Sequence, residues 1–252
     1  MPSIIGLIPA RSGSKRVVDK NVRRLGSHPL IAYTIAAAID SGIFDRVIVS
    51  TDSEEYADVA RHYGAEVPCL RPAEFATATS PDVEWVIHML DHLADTGQTF
   101  DCFSILRPTS PFRQPETIQR AWREFQAEEG VDSIRAVERV SQHPGKMWVV
   151  RGRRMMPLMP LSPAEQPWHS TQMAALPEVY VQNASLEIAW TRVVRDGQII
   201  AGVVVMPFLT SETEGFDINN DLDWFYAETL LARGRVPLPA MRQAPFESVR
   251  SN

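Results

Sequence analysis

The sequence predicts an α/β fold with three layers (α/β/α), in which helices cover both faces of a mostly parallel sheet. Short apolar runs, as at residues 4–8 and 46–50, are typical of strands buried on both faces. Amphipathic segments long enough to form helices separate these runs. Because neighbouring parallel strands need a long crossover, usually a helix, this alternation indicates a parallel sheet with helices on each side.

Local signals support the individual elements in chain order. An alanine-rich segment at 29–40 predicts a helix, and Ser53 is a suitable N-cap for a second helix at 53–63. Pro115 falls in the first turn of a helix at 115–128, where proline is tolerated. The remaining elements of the first half are strands at 67–70, 101–106 and 131–137 and a helix at 81–94.

The regular alternation ends after residue 137. Residues 151–177 are rich in proline, methionine and arginine without a clean period, so we expect a projecting arm at about 145–177. The elements predicted after it are strands at 179–190 and 198–205 and a helix at 221–233. We therefore expect a single domain over residues 1–236, followed by a C-terminal tail at 237–252.

Composition excludes several classes of function. The chain has 25 basic and 31 acidic residues and a net charge of −6, which argues against nucleic-acid binding. We find no apolar run long enough to cross a bilayer and no signal-peptide pattern. Cys69 and Cys102 are isolated cysteines that suit a reducing compartment. We expect a cytoplasmic protein without a nucleic-acid or membrane partner.

A basic loop follows the first predicted strand, at the edge of the sheet where open parallel sheets bind ligands. Its first part is Ala10-Arg11-Ser12-Gly13-Ser14-Lys15. Six cationic side chains fall within residues 11–24, opposed only by Asp19. Backbone N–H groups of a Ser-Gly-Ser turn can face an anion, so the loop predicts a polyphosphate site. The glycine spacing fits neither a Walker A loop nor a G-x-G-x-x-G fingerprint.

Six short motifs occur in order along the chain. They are I-P-A-R-S-G-S-K at 8–15 with K-N at 20–21, R-V-I-V-S-T-D at 46–52, R-P-A-E at 71–74, R-P-T-S-P-F-R at 107–113, Q-N at 182–183 and F-D-I-N at 216–219. Together these motifs resemble those of the acylneuraminate cytidylyltransferases, or CMP-sugar synthetases, over residues 4 to about 231.

The resemblance implies a nucleotide-diphospho-sugar transferase-like fold of the GT-A, Rossmann-like type, with CTP and an acidic sugar as substrates. It also implies Mg²⁺ or Mn²⁺ as cofactor and a homodimer joined through the arm. The nucleotide-binding positions that it implies are Ala10, Arg11, Ser12, Gly13, Ser14, Lys15, Asn21 and Arg71. The catalytic positions are Arg11, Lys20 and Asp217, the metal positions are Asp217 and Asn219, and the acceptor positions are Arg107, Gln182 and Asn183.

Two departures from the family pattern bear on metal and acceptor. Asn219 stands where the family has its second metal carboxylate, and an amide oxygen coordinates a hard cation without supplying charge. Arg107 replaces a glutamine associated with the acceptor pocket. The sequence therefore leaves two classes of acceptor. One is a nonulosonate, such as a sialic, legionaminic or pseudaminic acid, and the other is a 3-deoxy-octulosonate or phosphonate. A catalytically weak nucleotide-binding homologue is the other alternative.

Overall fold

The computed structural model describes residues 1–14, 16–160, 162–211 and 213–247. Backbone contacts divide the chain into two compact units, Met1–Ala136 with Asn183–Asn252, and Val137–Gln182. The strands are β1 Ile4–Pro9, β2 Arg24–Leu25, β3 His28–Pro29, β4 Arg46–Ser50, β5 Cys102–Ile105, β6 Ser133–Arg139, β7 Trp148–Arg151, β8 Arg154–Pro157, β9 Tyr180–Trp190 and β10 Val205–Leu209. The α-helices are α1 Leu30–Ser41, α2 Glu54–His62, α3 Asp82–Asp95, α4 Pro115–Ala127, α5 Thr191–Gly197 and α6 Asp221–Ala232.

The central sheet has six strands in the order β10-β6-β9-β5-β1-β4. Strand β1 pairs in parallel with both β4 and β5, as in the register Ile8↔Val49. Strand β9 pairs antiparallel with β5, which places Glu187 opposite Ile105. Because β1, β4 and β5 are parallel, the loops that follow them leave from the same edge of the sheet.

Helices cover both faces of this sheet, which confirms the predicted three layers. In β1 the side chains of Ile4 and Ile8 join one apolar cluster, and those of Ile5 and Leu7 join another. Alternating residues of a strand point to opposite faces, so the two clusters lie on opposite sides. The first cluster contains buried residues of α1, α2 and α4, and the second contains buried residues of α3.

Two predicted strands are wrong. Residues 67–70 form no strand, and only an isolated bridge between Ile48 and Glu66 extends the sheet there. Pro68 has no N–H to donate, which disfavours a continued ladder. The strand expected at 198–205 is instead β10, which begins at Val205. The Asp132 carboxylate accepts the backbone N–H groups of residues 203 and 204, so both donors are used outside the sheet.

The second unit contains a short hairpin and several single turns. Strands β7 and β8 pair antiparallel, with Val149 opposite Met156. A turn at Pro144–Lys146 carries Gly145, whose N–H donates to His143 Nδ1. The exposed apolar side chains of the second unit are Met147, Trp148, Val150, Met155, Met156, Leu158, Met173, Tyr180 and Val181. The arm prediction falls on this unit, and its role in dimerisation stays a prediction.

The residues after α6 run along the first unit. The backbone N–H of Phe246 donates to Tyr63 Oη at 3.0 Å, and the ring of Phe246 packs against the core. Residues 248–252 of the expected tail lie outside the described residues. Across the described part of the chain, every helix is too short or too polar to span a bilayer.

Candidate active site

The loop after β1 is held to the end of β4. Ala10 N–H donates to the Ser50 carbonyl at 2.9 Å. The N–H and the hydroxyl of Ser12 both donate to the Asp52 carboxylate, each at 2.7 Å. Gly13 then takes a positive φ of 67°, which glycine adopts without strain. These contacts fix the loop at the strand edge where the sequence predicts a ligand.

Beyond Ser12 the loop has unused donors. Within the described residues, the N–H groups of Gly13 and Ser14 donate to no protein atom. Ser14 and the half-buried Arg11 line a cleft at this edge. This arrangement suits an anion, which accepts backbone N–H bonds and is attracted by a guanidinium group. Lys15, predicted to bind the triphosphate, lies outside the described residues.

Asn21 and Lys20 close the loop from its far end. Asn21 is buried, and its Nδ2 donates to the Arg11 carbonyl at 3.3 Å. Lys20 Nζ donates to the Ile218 carbonyl at 2.7 Å. Burial lowers the pKa of Lys20 below its ordinary value, while the charge of Asp217 opposes that shift. The loop therefore brings a cation beside the predicted metal position, although the two are far apart in sequence.

Asp217 is held with one oxygen free. Asn219 Nδ2 donates to Asp217 Oδ2 at 2.7 Å, and the N–H of Asn219 donates to Asp223 at 2.8 Å. Asp217 Oδ1 is buried and accepts no hydrogen bond from the described residues. Ile218 N–H donates to the Thr109 carbonyl, which ties this segment to the loop after β5.

The free carboxylate oxygen fits a divalent cation, because a buried unsatisfied acceptor needs a positive partner. The described residues contain no group of three or more acidic, histidine or cysteine side chains placed to hold a metal. A divalent cation at Asp217 would need further oxygen ligands from solvent or from a bound ligand. Asn219, as placed, orients the Asp217 carboxylate through its amide N–H, and its metal role stays a prediction.

Arg71 is a buried cation that lines the cleft. Its Nε and Nη2 donate to the hydroxyl and carbonyl of Ser50 at 3.0 and 2.8 Å. Its guanidinium carbon lies 4.8 Å from the ring centroid of Trp85. Burial lowers the pKa of Arg71 to about 10. A cation fixed by neutral partners keeps its attraction for an incoming anion.

Arg107 is bound by two carboxylates. Its Nη2 donates to Asp82 Oδ2 at 2.5 Å and to Glu187 Oε1 at 3.2 Å. Burial by itself lowers the pKa of Arg107, but Asp82 and Glu187 outweigh it and raise the pKa above its ordinary value. For Asp82, burial alone would raise the pKa. The hydrogen bond and charge of Arg107 outweigh burial, so the pKa of Asp82 lies below its ordinary value and the carboxyl stays ionised.

Arg113 fixes the loop that carries Arg107. Its side chain is fully buried, and it donates to the Ser185 carbonyl, to Thr34 Oγ1 at 3.0 Å and to the Arg107 carbonyl at 3.4 Å. Burial lowers the pKa of Arg113 to about 9. The sequence shows Arg113 as part of a motif, but its structural role depends on helix α1 and strand β9.

The cleft brings together six of the fourteen predicted site residues, namely Arg11, Ser14, Lys20, Asn21, Arg71 and Arg107. It is lined by Pro9, Arg11, Ser14, Lys20, Asn21, Arg71, Phe75, Thr77, Ala78, Ser80, Asp82, Trp85, Arg107, Pro108 and Thr109. Asp82 and Trp85 are additions that sequence reasoning missed, since Asp82 looks like an ordinary first-turn acid. Asp52 was also missed as an anchor, although it ends a quoted motif. Asp217 contacts the cleft through its neighbour Ile218, which binds Lys20 and Thr109.

Two predicted acceptor residues do not line this cleft. Asn183 Nδ2 donates to Thr210 Oγ1 at 2.8 Å, and its Oδ1 accepts the N–H of Ser185. Gln182 is exposed and belongs to the second unit. Their acceptor roles stay predictions.

Comparison with known proteins identifies the family. A family profile described as cytidylyltransferase matches residues 5–145, which is more than half of the chain. The chain belongs to the cytidylyltransferase family. It is therefore a nucleotidyltransferase, and the match covers the loop after β1, Arg71 and Arg107.

Relatives within this family carry related names. CMP-N,N'-diacetyllegionaminic acid synthase of Legionella pneumophila is 36% identical over 235 residues, covering 90% of this chain and 96% of that protein. N-acylneuraminate cytidylyltransferase of Escherichia coli is 43% identical over 136 residues, covering 54% of this chain and 31% of that protein. Pseudaminic acid cytidylyltransferase of Campylobacter jejuni is 35% identical over 119 residues, covering 47% of this chain and 51% of that protein.

Solved structures share the fold. CMP:2-keto-3-deoxy-manno-octonic acid synthetase complexed with CTP gives a TM-score of 0.67 at 13% identity, covering 92% of this chain and 99% of that chain. 4-Diphosphocytidyl-2C-methyl-D-erythritol synthase from Anaerococcus prevotii gives 0.60 at 10% identity, with the same two coverages. At these identities the likeness concerns the fold, and it confirms the predicted nucleotidyltransferase architecture.

Proposed function

We propose that this cytidylyltransferase transfers CMP from CTP to a hydroxyl of an acidic sugar and releases pyrophosphate. The observation that carries the proposal is a set of three cations at one cleft, Arg11, Lys20 and Arg71. None of them forms an ion pair within the described residues, so their charge is available to a polyphosphate. The name of the relative matched over most of its length supports a nonulosonate of the legionaminic type as acceptor.

The reaction requires positioning and charge more than covalent help from the protein. The acceptor oxygen attacks the α-phosphorus. The bond between that phosphorus and the oxygen bridging the α- and β-phosphates breaks, and the hydroxyl proton is released to solvent. Arg11 and Lys20 bind the triphosphate and stabilise the charge that gathers on the leaving pyrophosphate. The free N–H groups of Gly13 and Ser14 donate to phosphate oxygens.

We assign the nucleoside to the part of the cleft formed by Asn21 and Arg71, and the acceptor to the part that contains Arg107. Asp217, oriented by Asn219, would hold Mg²⁺ or Mn²⁺ through its free oxygen. A cation bound there would supply Lewis-acid neutralisation of phosphate oxygens. We further propose a cytoplasmic location and a homodimer joined through the second unit, whose exposed apolar residues need a partner surface.

A second acceptor class fits the same residues, because a 3-deoxy-octulosonate carries a carboxylate just as a nonulosonate does. Arg107 brings a permanent cation to the acceptor side, and a 3-deoxy-octulosonate carries the carboxylate that such a cation attracts. This alternative keeps the reaction and changes only the acceptor.

The test is pyrophosphate release measured with each of the four common ribonucleoside triphosphates against a panel of acidic sugars. The panel contains N,N'-diacetyllegionaminate, N-acetylneuraminate, pseudaminate and 3-deoxy-manno-octulosonate. We expect release with CTP and a nonulosonate, and a CMP-sugar product of the expected mass. Release with another triphosphate at an equal rate would overturn the nucleotide assignment. Release only with the octulosonate would favour the second acceptor.

A further inference from the structure

Four charged side chains form a continuous chain of contacts from the cleft into the sheet. Asp82 begins helix α3, Arg107 follows β5, Glu187 lies in β9 and Arg135 lies in β6. Arg107 Nη2 binds both Asp82 and Glu187, and Arg135 Nη2 lies 3.0 Å from Glu187 Oε2. The formal charges of the four groups sum to zero.

The two carboxylates that hold Arg107 differ in burial. The Glu187 side chain is 6% exposed, and Arg135 neutralises its other oxygen from within the sheet. The Asp82 side chain is 28% exposed and lines the cleft. An ion buried with two cationic partners is costly to move, whereas a half-buried one that lines a cleft exchanges partners with solvent or ligand at lower cost.

The hydrogen-bond pattern of Arg107 limits how it can receive another anion. Both protein carboxylates are bound by Nη2, while Nε and Nη1 have no acceptor among the described residues. A carboxylate binds guanidinium most strongly in a two-pronged geometry that uses two neighbouring nitrogens, and each such pair with parallel donors includes Nη2. An anionic ligand therefore gains a full pair of bonds only when one protein carboxylate leaves.

We propose that Asp82 is an exchangeable place-holder on Arg107, that the anionic group of the acceptor takes its place, and that Glu187 with Arg135 is the fixed anchor. This inference rests on the proposed function and deepens it. It makes Asp82 a selector for acceptors whose anion binds Arg107 better than an internal carboxylate does. Glu187 and Arg135 are positioning residues, because they act through Arg107.

The experiment measures the KM of the acceptor and of CTP for Asp82→Asn and Glu187→Gln. Removing the place-holder's charge should lower the acceptor KM by about threefold or more, because the ligand no longer competes with it. Removing the anchor's charge should raise the acceptor KM by about tenfold, with the CTP KM changed by less than about twofold. A purely structural role would not shift the acceptor KM in opposite directions.

Asp91→Asn is the matched control. Asp91 also lies on α3 and pairs with an arginine, Arg195, but it is outside the cleft. It should leave both KM values unchanged. If Glu187→Gln does not fold, as judged by circular dichroism, the sign of the Asp82→Asn effect still decides.

An acceptor KM that rises in Asp82→Asn overturns the place-holder role, and an unchanged acceptor KM in a folded Glu187→Gln overturns the anchor. If the wild-type protein releases no pyrophosphate with any acidic sugar, the proposed function fails and the inference falls with it. If the wild-type protein turns over and either KM change is contrary to expectation, only the inference is overturned and the proposed function stands.

Discussion

The proposed nucleotide end and the proposed acceptor end of the cleft differ in how their cations are neutralised. At the nucleotide end, Arg11 has no ion-pair partner within the described residues, and Lys20 and Arg71 donate to a carbonyl or hydroxyl. At the acceptor end, Arg107 is neutralised by two carboxylates. A triphosphate brings several negative charges and needs cations that are not yet neutralised. An acceptor with one anionic group needs selectivity more than charge, and in our proposal the internal carboxylates provide that selectivity.

The largest change in rate is expected on removing Asp217, the carboxylate beside the proposed nucleotide end. Asp217→Ala should lower kcat by about 10³-fold, because it removes the free oxygen expected to hold the divalent cation. The measurement is initial-rate pyrophosphate release over a Mg²⁺ titration, with EDTA-treated wild-type protein as reference. A normal Mg²⁺ titration in this variant would remove Asp217 from the metal site.

Asn219→Asp tests the same metal site by adding a carboxylate instead of removing one. The added carboxylate stands beside Asp217 Oδ2, which Asn219 now contacts at 2.7 Å. Two carboxylates sharing one ion should lower the Mg²⁺ concentration needed for half-maximal rate. An unchanged titration would mean that position 219 orients Asp217 without joining the site.

Lys20→Ala should give the next largest effect, a fall of about 10²-fold in kcat/KM for CTP, because an unneutralised ammonium would no longer face the phosphates. Steady-state kinetics at several CTP concentrations provides the measurement, and the melting temperature checks folding. Near-wild-type turnover at low CTP concentration would place the triphosphate elsewhere.

Arg107→Gln should raise the acceptor KM by about tenfold while the CTP KM stays nearly constant, since one charge-assisted bond is lost. The measurement varies each substrate at saturating levels of the other. A loss of CTP affinity instead would move Arg107 to the nucleotide end and remove the contrast between the two ends.

The smallest effect is expected for a control variant that removes one positive charge outside the cleft. Arg61→Ala removes an exposed arginine of α2 that pairs with Glu54 and Asp58. Surface pairs of this kind contribute little, so kcat and both KM values should match those of wild type. A tenfold change in any of them, measured in the same assay, would show that net charge rather than position explains the other variants.

The sequence predicted the layers of the fold because its signals are local. The Ser53 cap is present, with its hydroxyl accepting the Tyr56 N–H, and the apolar run of β1 is buried on both faces. The strand predicted at 198–205 failed because the Asp132 carboxylate, about 70 residues earlier, takes its backbone donors. Apolar content alone cannot reveal such a distant competitor.

The site shows the same limit. The basic loop could be predicted as a unit because its residues are neighbours in the chain. The charges around Arg107 could not, since Asp82 and Glu187 lie 25 and 80 positions away. Their meeting depends on the antiparallel pairing of β9 with β5, which places Glu187 beside the end of β5. That pairing has no signature within either strand.

The bond between Ser12 and Asp52 has a consequence for the entropy of binding. Two donors of Ser12 hold one carboxylate at the end of β4, so this part of the loop is ordered when the sheet forms. The conformational entropy of that segment is lost during folding and does not reduce nucleotide affinity a second time. Local opening of the loop must break both bonds, which couples its opening free energy to the stability of the sheet edge. If the loop binds the triphosphate as proposed, Asp52 strengthens that binding without touching the nucleotide.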